Sequence, residues 1–327
     1  MPDKRIVVVI GATGQQGGSV VEALLLRDEY AVKGVTRNLE SEASRALGAR
    51  GVTMIQGDLD SVDSLKVAFE ACGHTSYDGA YAVFGVTDFA ASMRTHGPDA
   101  AQDAEFQQAK NIAQAAAATG SLQHYVWSTI PSAWGVSSGK ISVPHFESKA
   151  RADDYILRDL KDLGNKTTFL WVGYYPSNVR APAMAPTFHA TSGKDVWLSP
   201  VSAETELVSI GSQQHNVGVF VRAILDHPQL TLPAKYVLAE AERTTLGKVI
   251  ELYAKLTGRP TQYVRIDAAA FNDLFPGWAA ITTMLQLWKI HGVRSFAKHG
   301  VIPLTAEDLA IDKRDLVMTE AAMRSFL

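Results

Sequence analysis

The stretch Gly11-Ala12-Thr13-Gly14-Gln15-Gln16-Gly17-Gly18 constrains the fold of this chain more than any other. It follows Arg5–Ile10, whose residues after Arg5 make a continuous apolar run of the kind a strand buried on both faces needs. It leads into a segment with helical character at residues 19–26. A strand, a glycine turn and a helix in that order make a phosphate cradle. Gly11 permits the tight turn, Gly14 lets the backbone approach a pyrophosphate, and Gly17 allows the helix to pack closely on the strand. The helix N-terminus then presents free N–H groups and a positive dipole to the phosphates. A glycine pattern alone is a weak signal; in this context it points to a dinucleotide.

The rest of the first half repeats the same unit. Strands are expected at 31–36, 52–55, 80–86, 124–129 and 167–172, and helices at 41–47, 61–71, 102–119 and 146–162. Ser61 and Gly120 fit as helix caps. Residues 88–98 and 132–139 read as loops. Strands alternating with helices imply βαβ units and a parallel sheet. After Tyr175 the pattern changes, with Pro176, Pro182, Pro186 and Pro200 breaking the alternation. Helices at 217–225 and 245–257, short strands at 236–238 and 263–266, and a mostly helical, aromatic stretch at 271–295 follow. The expected architecture is an α/β fold. A Rossmann-type doubly wound parallel sheet (1–178) carries a smaller α+β C-terminal domain (179–327) that exchanges elements with it.

The second strand selects the dinucleotide. A site for NAD usually ends this strand with a carboxylate that binds the ribose 2′-hydroxyl. Here the strand ends Val35-Thr36-Arg37-Asn38. A guanidinium grips a phosphate in a fork geometry where a carboxylate would repel it, so Arg37 is the expected ligand of a 2′-phosphate and the cofactor is expected to be NADP(H). Asp58 follows the third strand, where a carboxylate can accept from the adenine amine or cap the next helix.

Composition excludes several other classes. With 31 Lys and Arg against 34 Asp and Glu, the formal net charge is -3, which gives no electrostatic case for nucleic acid or an anionic membrane. No segment reaches the roughly 18 uninterrupted apolar residues of a membrane span. The lone Cys72 can form no internal disulfide and no cysteine-based zinc site. No metal is expected. These features fit a cytoplasmic protein, with the nucleus a second compartment, and leave monomer and homodimer both open.

Taken together, these segments resemble the NmrA-like proteins, atypical members of the extended short-chain dehydrogenase/reductase superfamily. The likeness covers nearly the whole chain. It rests on GATGQQGGSV at the start, TRN after the second strand, GD at Asp58, YAVFGVT, EFQQAKNIAQAAAATG, HYVWST, HFESK and YYPSN. It extends to a human redox-sensor member and to fungal members, some of them reductases. The resemblance implies that Gly11, Ala12, Thr13, Gly14, Gln15, Gln16 and Gly17 hold the pyrophosphate and that Arg37 binds the 2′-phosphate. It implies that Asp58 and Leu59 flank adenine, and that Phe84, Gly85, Val86 and Thr87 line the ribose and the approach to the nicotinamide. Lys149 would bond the nicotinamide ribose, and Tyr174, Tyr175, Pro176 and Asn178 would close over the ring.

A conventional member of the superfamily places Tyr-x-x-x-Lys on one helix face, the lysine lowering the tyrosine pKa so that it shuttles a proton. The matching positions here are His145 and Lys149. Either His145 is the proton donor, since imidazole titrates near neutrality, or the site has lost its acid and only binds. Ser128 stands where dehydrogenases place a substrate-orienting serine, and Tyr174 offers a hydroxyl. The matching helix start at residue 216 often carries aspartate in the family; Asn216 would still cap it. Phe271, Phe275, Trp278, Met284, Leu287 and Trp288 read mainly as core, with the remainder fit to line an apolar pocket for a flat substrate or to dock a protein partner. The expected function is therefore reduction of a carbonyl or conjugated double bond in an aromatic small molecule with NADPH. The alternative is a non-catalytic NADPH/NADP+ sensor acting on a protein partner, and 88–98 and 132–139 are then the segments expected to move.

Overall fold

The computed structural model of the chain describes residues 4–70 and 79–327, so Cys72 lies outside the described residues. Six strands of the first half are β1 (Arg5–Ile10), β2 (Tyr30–Thr36), β3 (Thr53–Gln56), β4 (Ala82–Gly85), β5 (His124–Thr129) and β6 (Thr167–Val172). With Lys235–Ala239 beyond β6, they form a seven-stranded sheet in which β1 lies between β4 and β2. Every pairing in it is parallel. The chain runs outward from β1 through β2 to β3, then returns to β4 on the other side of β1. The order reverses between β1 and β4, and in such sheets ligands bind beyond the carboxyl ends of the strands at that reversal. The doubly wound α/β fold expected from the sequence is present.

The apolar run of β1 is explained by its two faces. Val7 and Val9 join one core with Val20 and Leu24 of α1 (Gln15–Leu25) and with Phe220 and Ile224 of the helix Asn216–Asp226. Val8 and Ile10 point the other way, into a core with Leu65, Phe69, Ile112, Trp127 and Ile156. Full burial of each such side chain contributes roughly 1.5–3 kcal/mol, so neither face tolerates a polar alternation. Around that sheet lie α2 (Glu42–Ala49), α3 (Val62–Glu70) and α4 (Phe89–Ala118), and, after the short turn α5 (Ala133–Val136), α6 (Pro144–Asp159). A third core, with Phe146, Trp197, Leu246, Leu285 and Trp288, joins the start of α6 to the second half of the chain.

Several local expectations are corrected. The first helix begins at Gln15, a turn earlier than residue 19, because Gly17 and Gly18 sit inside it rather than before it. Residues 88–98 are not a loop: Asp88 caps α4 by accepting from the Ala91 N–H at 3.1 Å, and the chain stays helical to a single break at Gly97 (φ 76°). Residues 132–139 contain the turn α5, held by Glu147, which accepts from Ser132 Oγ at 2.8 Å and from the Trp134 N–H at 2.9 Å. The proline-rich region after Tyr175 hides two small sheets, one of Thr187–His189, Lys194–Ser199 and Thr261–Arg265, the other of Glu206–Ser209 and Glu242–Thr245. The aromatic stretch 271–295 is broken between the helices Ala268–Leu274 and Ala279–His291.

Asn216 is also placed differently. His215, not Asn216, stands at the helix cap. The Asn216 amide is buried, donating to the carbonyls of Ile210 (2.6 Å) and Val317 (2.9 Å) while accepting from the Val317 N–H (2.9 Å). An amide can do both; a carboxylate could only accept. This clamp sets the helix Asn216–Asp226 against α1, where the Gly218 N–H donates to Ser19 Oγ at 2.7 Å. A Cβ at Gly218 would stand 2.6 Å from the carbonyl carbon of Ser19 and closer still to its oxygen. Gly218→Ala is therefore expected to lower the thermal midpoint by several degrees. Gly48→Ala, in α2 with none of the described residues within 4 Å of the added methyl, is expected to raise stability by about 0.5–1 kcal/mol. Thermal melts of the two variants should move in opposite directions.

Candidate functional site

The glycine turn sits at the sheet's reversal point. Gly11 adopts φ 64°, and the Gly14 N–H donates to the Gly11 carbonyl at 2.8 Å to close the turn. A Cβ on Gly17 would lie 2.5 Å from the carbonyl carbon of Gly11 and nearer its oxygen, so only glycine lets α1 start this close to β1. Gly14 is the helix cap and has no side chain to accept there, so among the described residues the first-turn N–H groups have no side-chain acceptor. Ala12 is buried against the core, whereas Thr13 and Gln15 are exposed. On the far side of the reversal, Val86 Cγ1 stands 3.4 Å from where a Gly11 Cβ would be.

Two glutamines of the turn reach across it. Gln16 accepts from Ser128 Oγ at 2.7 Å at the end of β5, and its amide donates to the Tyr175 hydroxyl beyond β6. Gln15 accepts from Gln213 at 2.7 Å, and Gln213 also donates to Ser177 at 2.8 Å. Thus Gln16, Ser128 and Tyr175 are brought together, while Pro176 and half-buried Asn178 follow in a short helical turn.

At the end of β2, Arg37 is exposed, and its guanidinium has no hydrogen-bond or ion-pair partner among the described residues. Asp58 is exposed and accepts from the Asp60 N–H at 3.0 Å, so one carboxylate oxygen organises its own turn. The Leu59 carbonyl accepts from Asn111 at 2.8 Å. Phe84 and Gly85 lie inside the sheet. The Phe84 side chain is core, and Gly85 is backed by the Tyr125 ring, so only Val86 and Thr87 of that quartet extend beyond β4.

Lys149 projects from α6 to the end of β4. Its ammonium donates to the Thr87 carbonyl (3.1 Å), to Thr87 Oγ1 (2.7 Å) and to Glu105 Oε1 (2.9 Å). Glu105, on α4, is buried, also receives Thr87 Oγ1 at 2.8 Å, and is bonded by the Ser148 hydroxyl on its other oxygen. His145 lies one helical turn before Lys149, between the rings of Phe89 (5.4 Å) and Phe146 (4.9 Å, edge-on). Burial among these rings holds its pKa down to about 4, nearby Glu105 opposing and Lys149 reinforcing the shift, so the imidazole is neutral near neutral pH. Tyr174 is not brought to this group. Its ring packs edge-on against Trp288, and its buried hydroxyl has no hydrogen-bond partner among the described residues. Burial raises the pKa of both Tyr174 and Tyr175. Phe271, Met284, Leu287 and Trp288 are buried core, leaving Phe275 and Trp278 half-buried.

Sequence reasoning missed Glu105, Gln213 and Asp153. Their partners are distant in the chain, and no local spacing signals them. Asp153, one turn beyond Lys149, is a buried carboxylate that accepts from Trp127 Nε1 at 3.0 Å and Thr129 Oγ1 at 2.7 Å, fastening α6 to the end of β5. Burial pushes its pKa up to about 7 despite the two hydrogen bonds and Lys298.

Residues 3–313 match the model of the NmrA-like family. The chain belongs to that family. This NmrA-like chain is 27% identical over 290 residues to the NmrA-like family domain-containing oxidoreductase lnaB of Aspergillus flavus, spanning 86% of this chain and 79% of that one. Its fold is similar to that of NmrA, a negative transcriptional regulator, in complex with NADP (TM-score 0.70, 21% identical, 99% of this chain and 95% of the other). It is also similar to an NADPH-dependent quinone oxidoreductase of Escherichia coli complexed with NADPH (TM-score 0.66, 18% identical, 98% of each chain). Among the described residues, no helix is long and apolar enough to cross a membrane, and no cluster of His, Cys, Asp and Glu could hold a metal ion.

Asp153 makes stability depend on pH. A carboxyl whose folded-state value lies above its ordinary 3.8 favours the fold while protonated, and that contribution is lost as pH rises toward about 7. Asp153→Asn keeps an acceptor for Trp127 and Thr129 without the charge. Its thermal midpoint relative to the parent chain is expected to rise steadily between about pH 4 and about pH 8. A difference that stays flat over that range would contradict this account of the buried carboxyl.

Proposed function

We propose that this chain is an NADPH-dependent reductase acting on a carbonyl or conjugated double bond of an aromatic small molecule. One observation carries the reading. A glycine turn that only glycine can form, an unengaged Arg37 and an anchored Lys149 all stand at carboxyl ends of strands around the β1/β4 reversal. In this reading the turn from Gly11 to Gly17 holds the pyrophosphate, Arg37 the 2′-phosphate, and Asp58 and Leu59 the adenine. Val86, Thr87 and Lys149 meet the nicotinamide ribose, and Tyr175, Pro176 and Asn178 lie over the ring. The names of the relatives support a nucleotide-dependent reduction, and the Rossmann-type sheet supports a dinucleotide.

The bound cofactor supplies the hydride. The chain's part is to bind, orient and exclude water. The aromatic pair Phe89 and His145, beside Lys149, supports a flat substrate better than the buried rings of Phe271 and Trp288 do. His145, neutral near neutral pH, is a poor proton donor, so the reading takes the final proton from water. Residues 1–178 form the nucleotide domain together with the strand Lys235–Ala239 and the helix Asn216–Asp226, the rest of 179–327 forms the smaller domain, and the protein works in the cytoplasm, with the nucleus a second compartment.

Two measurements test this. Arg37→Ala is expected to weaken NADP+ binding about ten- to a hundredfold while leaving NAD+ affinity unchanged, as loss of a charge-assisted bond to the 2′-phosphate requires. Across a panel of quinones, aromatic enones and aromatic aldehydes, NADPH should be consumed with at least one substrate, and Lys149→Ala should lower kcat/KM by about tenfold or more. The second reading, a sensor without turnover, is favoured by the bridge from Gln16 to Ser128 and Tyr175, which spans the site with protein groups. Tight NADPH binding with no oxidation anywhere in the panel would sink the reductase and leave the sensor.

A further inference from the structure

We propose that Glu105 is a positioning residue: it holds the Lys149 ammonium at the end of β4 and thereby sets how tightly the nicotinamide half of the dinucleotide is bound. The inference rests on the reading above, in which Lys149 meets the nicotinamide ribose.

The geometry around Glu105 is closed and directional. Its carboxylate is fully buried in the middle of α4, and Lys149 is its ion-pair partner at 2.9 Å. The Thr87 hydroxyl has a single hydrogen. With that hydrogen donated to Glu105 Oε1, the hydroxyl oxygen can only accept from Lys149, so the three groups close a triangle in which the ammonium donates twice, the hydroxyl accepts once and donates once, and the carboxylate only accepts. Ser148, adjacent to Lys149 on α6, fastens the other carboxylate oxygen, so α6 grips Glu105 through two successive side chains.

This arrangement does something that a surface ion pair does not. A lysine is a point charge on a flexible four-carbon stem, able to sit in many places. The face of Trp127, over which the ammonium lies at 5.8 Å from the ring centre, would by itself hold that charge only loosely. Glu105 and the Thr87 carbonyl together draw the charge to the strand end beside the glycine turn. Removing the ammonium strands a buried carboxylate, and removing the carboxylate frees the ammonium to leave. Each partner therefore fixes the other. Neither the helix position of Glu105 nor its neighbours Phe106 and Gln107 gives it any other cation among the described residues.

The test compares two ligands by calorimetry: NADPH, and adenosine 2′,5′-bisphosphate, which carries the 2′-phosphate and adenine but no nicotinamide ribose. Glu105→Gln, close in shape but uncharged, is expected to weaken NADPH binding about tenfold and to leave the bisphosphate affinity unchanged. In a Lys149→Met background the same substitution should cost nothing further, since Glu105 acts through the lysine. Ser148→Ala, which loosens Glu105 without touching Lys149, should give the same split between ligands at smaller size, and serves should Glu105→Gln fail to fold. Equal weakening of both ligands, an added loss in the Lys149→Met background, or unchanged NADPH affinity in both variants would overturn the proposal. If the parent chain binds neither ligand, the dinucleotide reading itself falls and the proposal with it. If it binds both but the variants show no split, only the role of Glu105 falls.

Discussion

Helix α1 can begin where it does only because nothing projects from Gly17 toward the carbonyl of Gly11. A single methyl there would overlap backbone, not a side chain that could swing aside. That contact fixes the height at which α1 leaves the sheet, and with it the direction of its first-turn N–H groups. The same helix offers Ser19 to the helix Asn216–Asp226, which lies against it in backbone contact at Gly218. Asn216 then ties that helix to Ile210 and Val317. One close approach near the N-terminus thus sets both the mouth of the site and the seat of the second half of the chain.

Around the mouth, charge is distributed unevenly. Arg37 is exposed and has no partner among the described residues at one end, whereas Lys149, still partly exposed, is held by Thr87 and Glu105 at the other. An unpartnered surface guanidinium costs little and is available to an anion. A half-buried ammonium near a buried carboxylate is stable only when the two are paired with good hydrogen-bond geometry. The proposed cofactor would span these two environments. His145 between its aromatic neighbours is neutral near neutral pH, and Tyr174 is turned into the third core, so the two groups first considered as acids are the least suited to that role.

What could be read from the sequence was local. The strand, glycine turn and helix are contiguous, so residues 5–25 announce themselves, and Arg37 stands directly at a strand end. The parallel sheet followed from repetition of one unit. Glu105 could not be found in this way, because its meaning comes from Thr87, Ser148 and Lys149, 18 to 44 residues away. Gly97 and Pro98 suggested a loop, but the helix resumes after a one-residue break. The small sheets after Tyr175 were hidden for the same reason as Glu105. Lys194–Ser199 pairs with Thr261–Arg265, more than sixty residues on, and tertiary packing rather than local pattern decides that pairing. Asn216 was legible as a helix start but not as a clamp, since both of its carbonyl partners are remote or out of register with the helix.

The central claim, that one NADP(H) molecule lies across the β1/β4 reversal from Arg37 to Lys149, is tested most directly by a crystal structure with NADP+. The account predicts pyrophosphate over the turn from Gly11 to Gly17, the 2′-phosphate within hydrogen-bond reach of Arg37, and the nicotinamide ribose beside Lys149. A dinucleotide bound elsewhere, or a nicotinamide half excluded by an intact bridge from Gln16 to Tyr175, would contradict it.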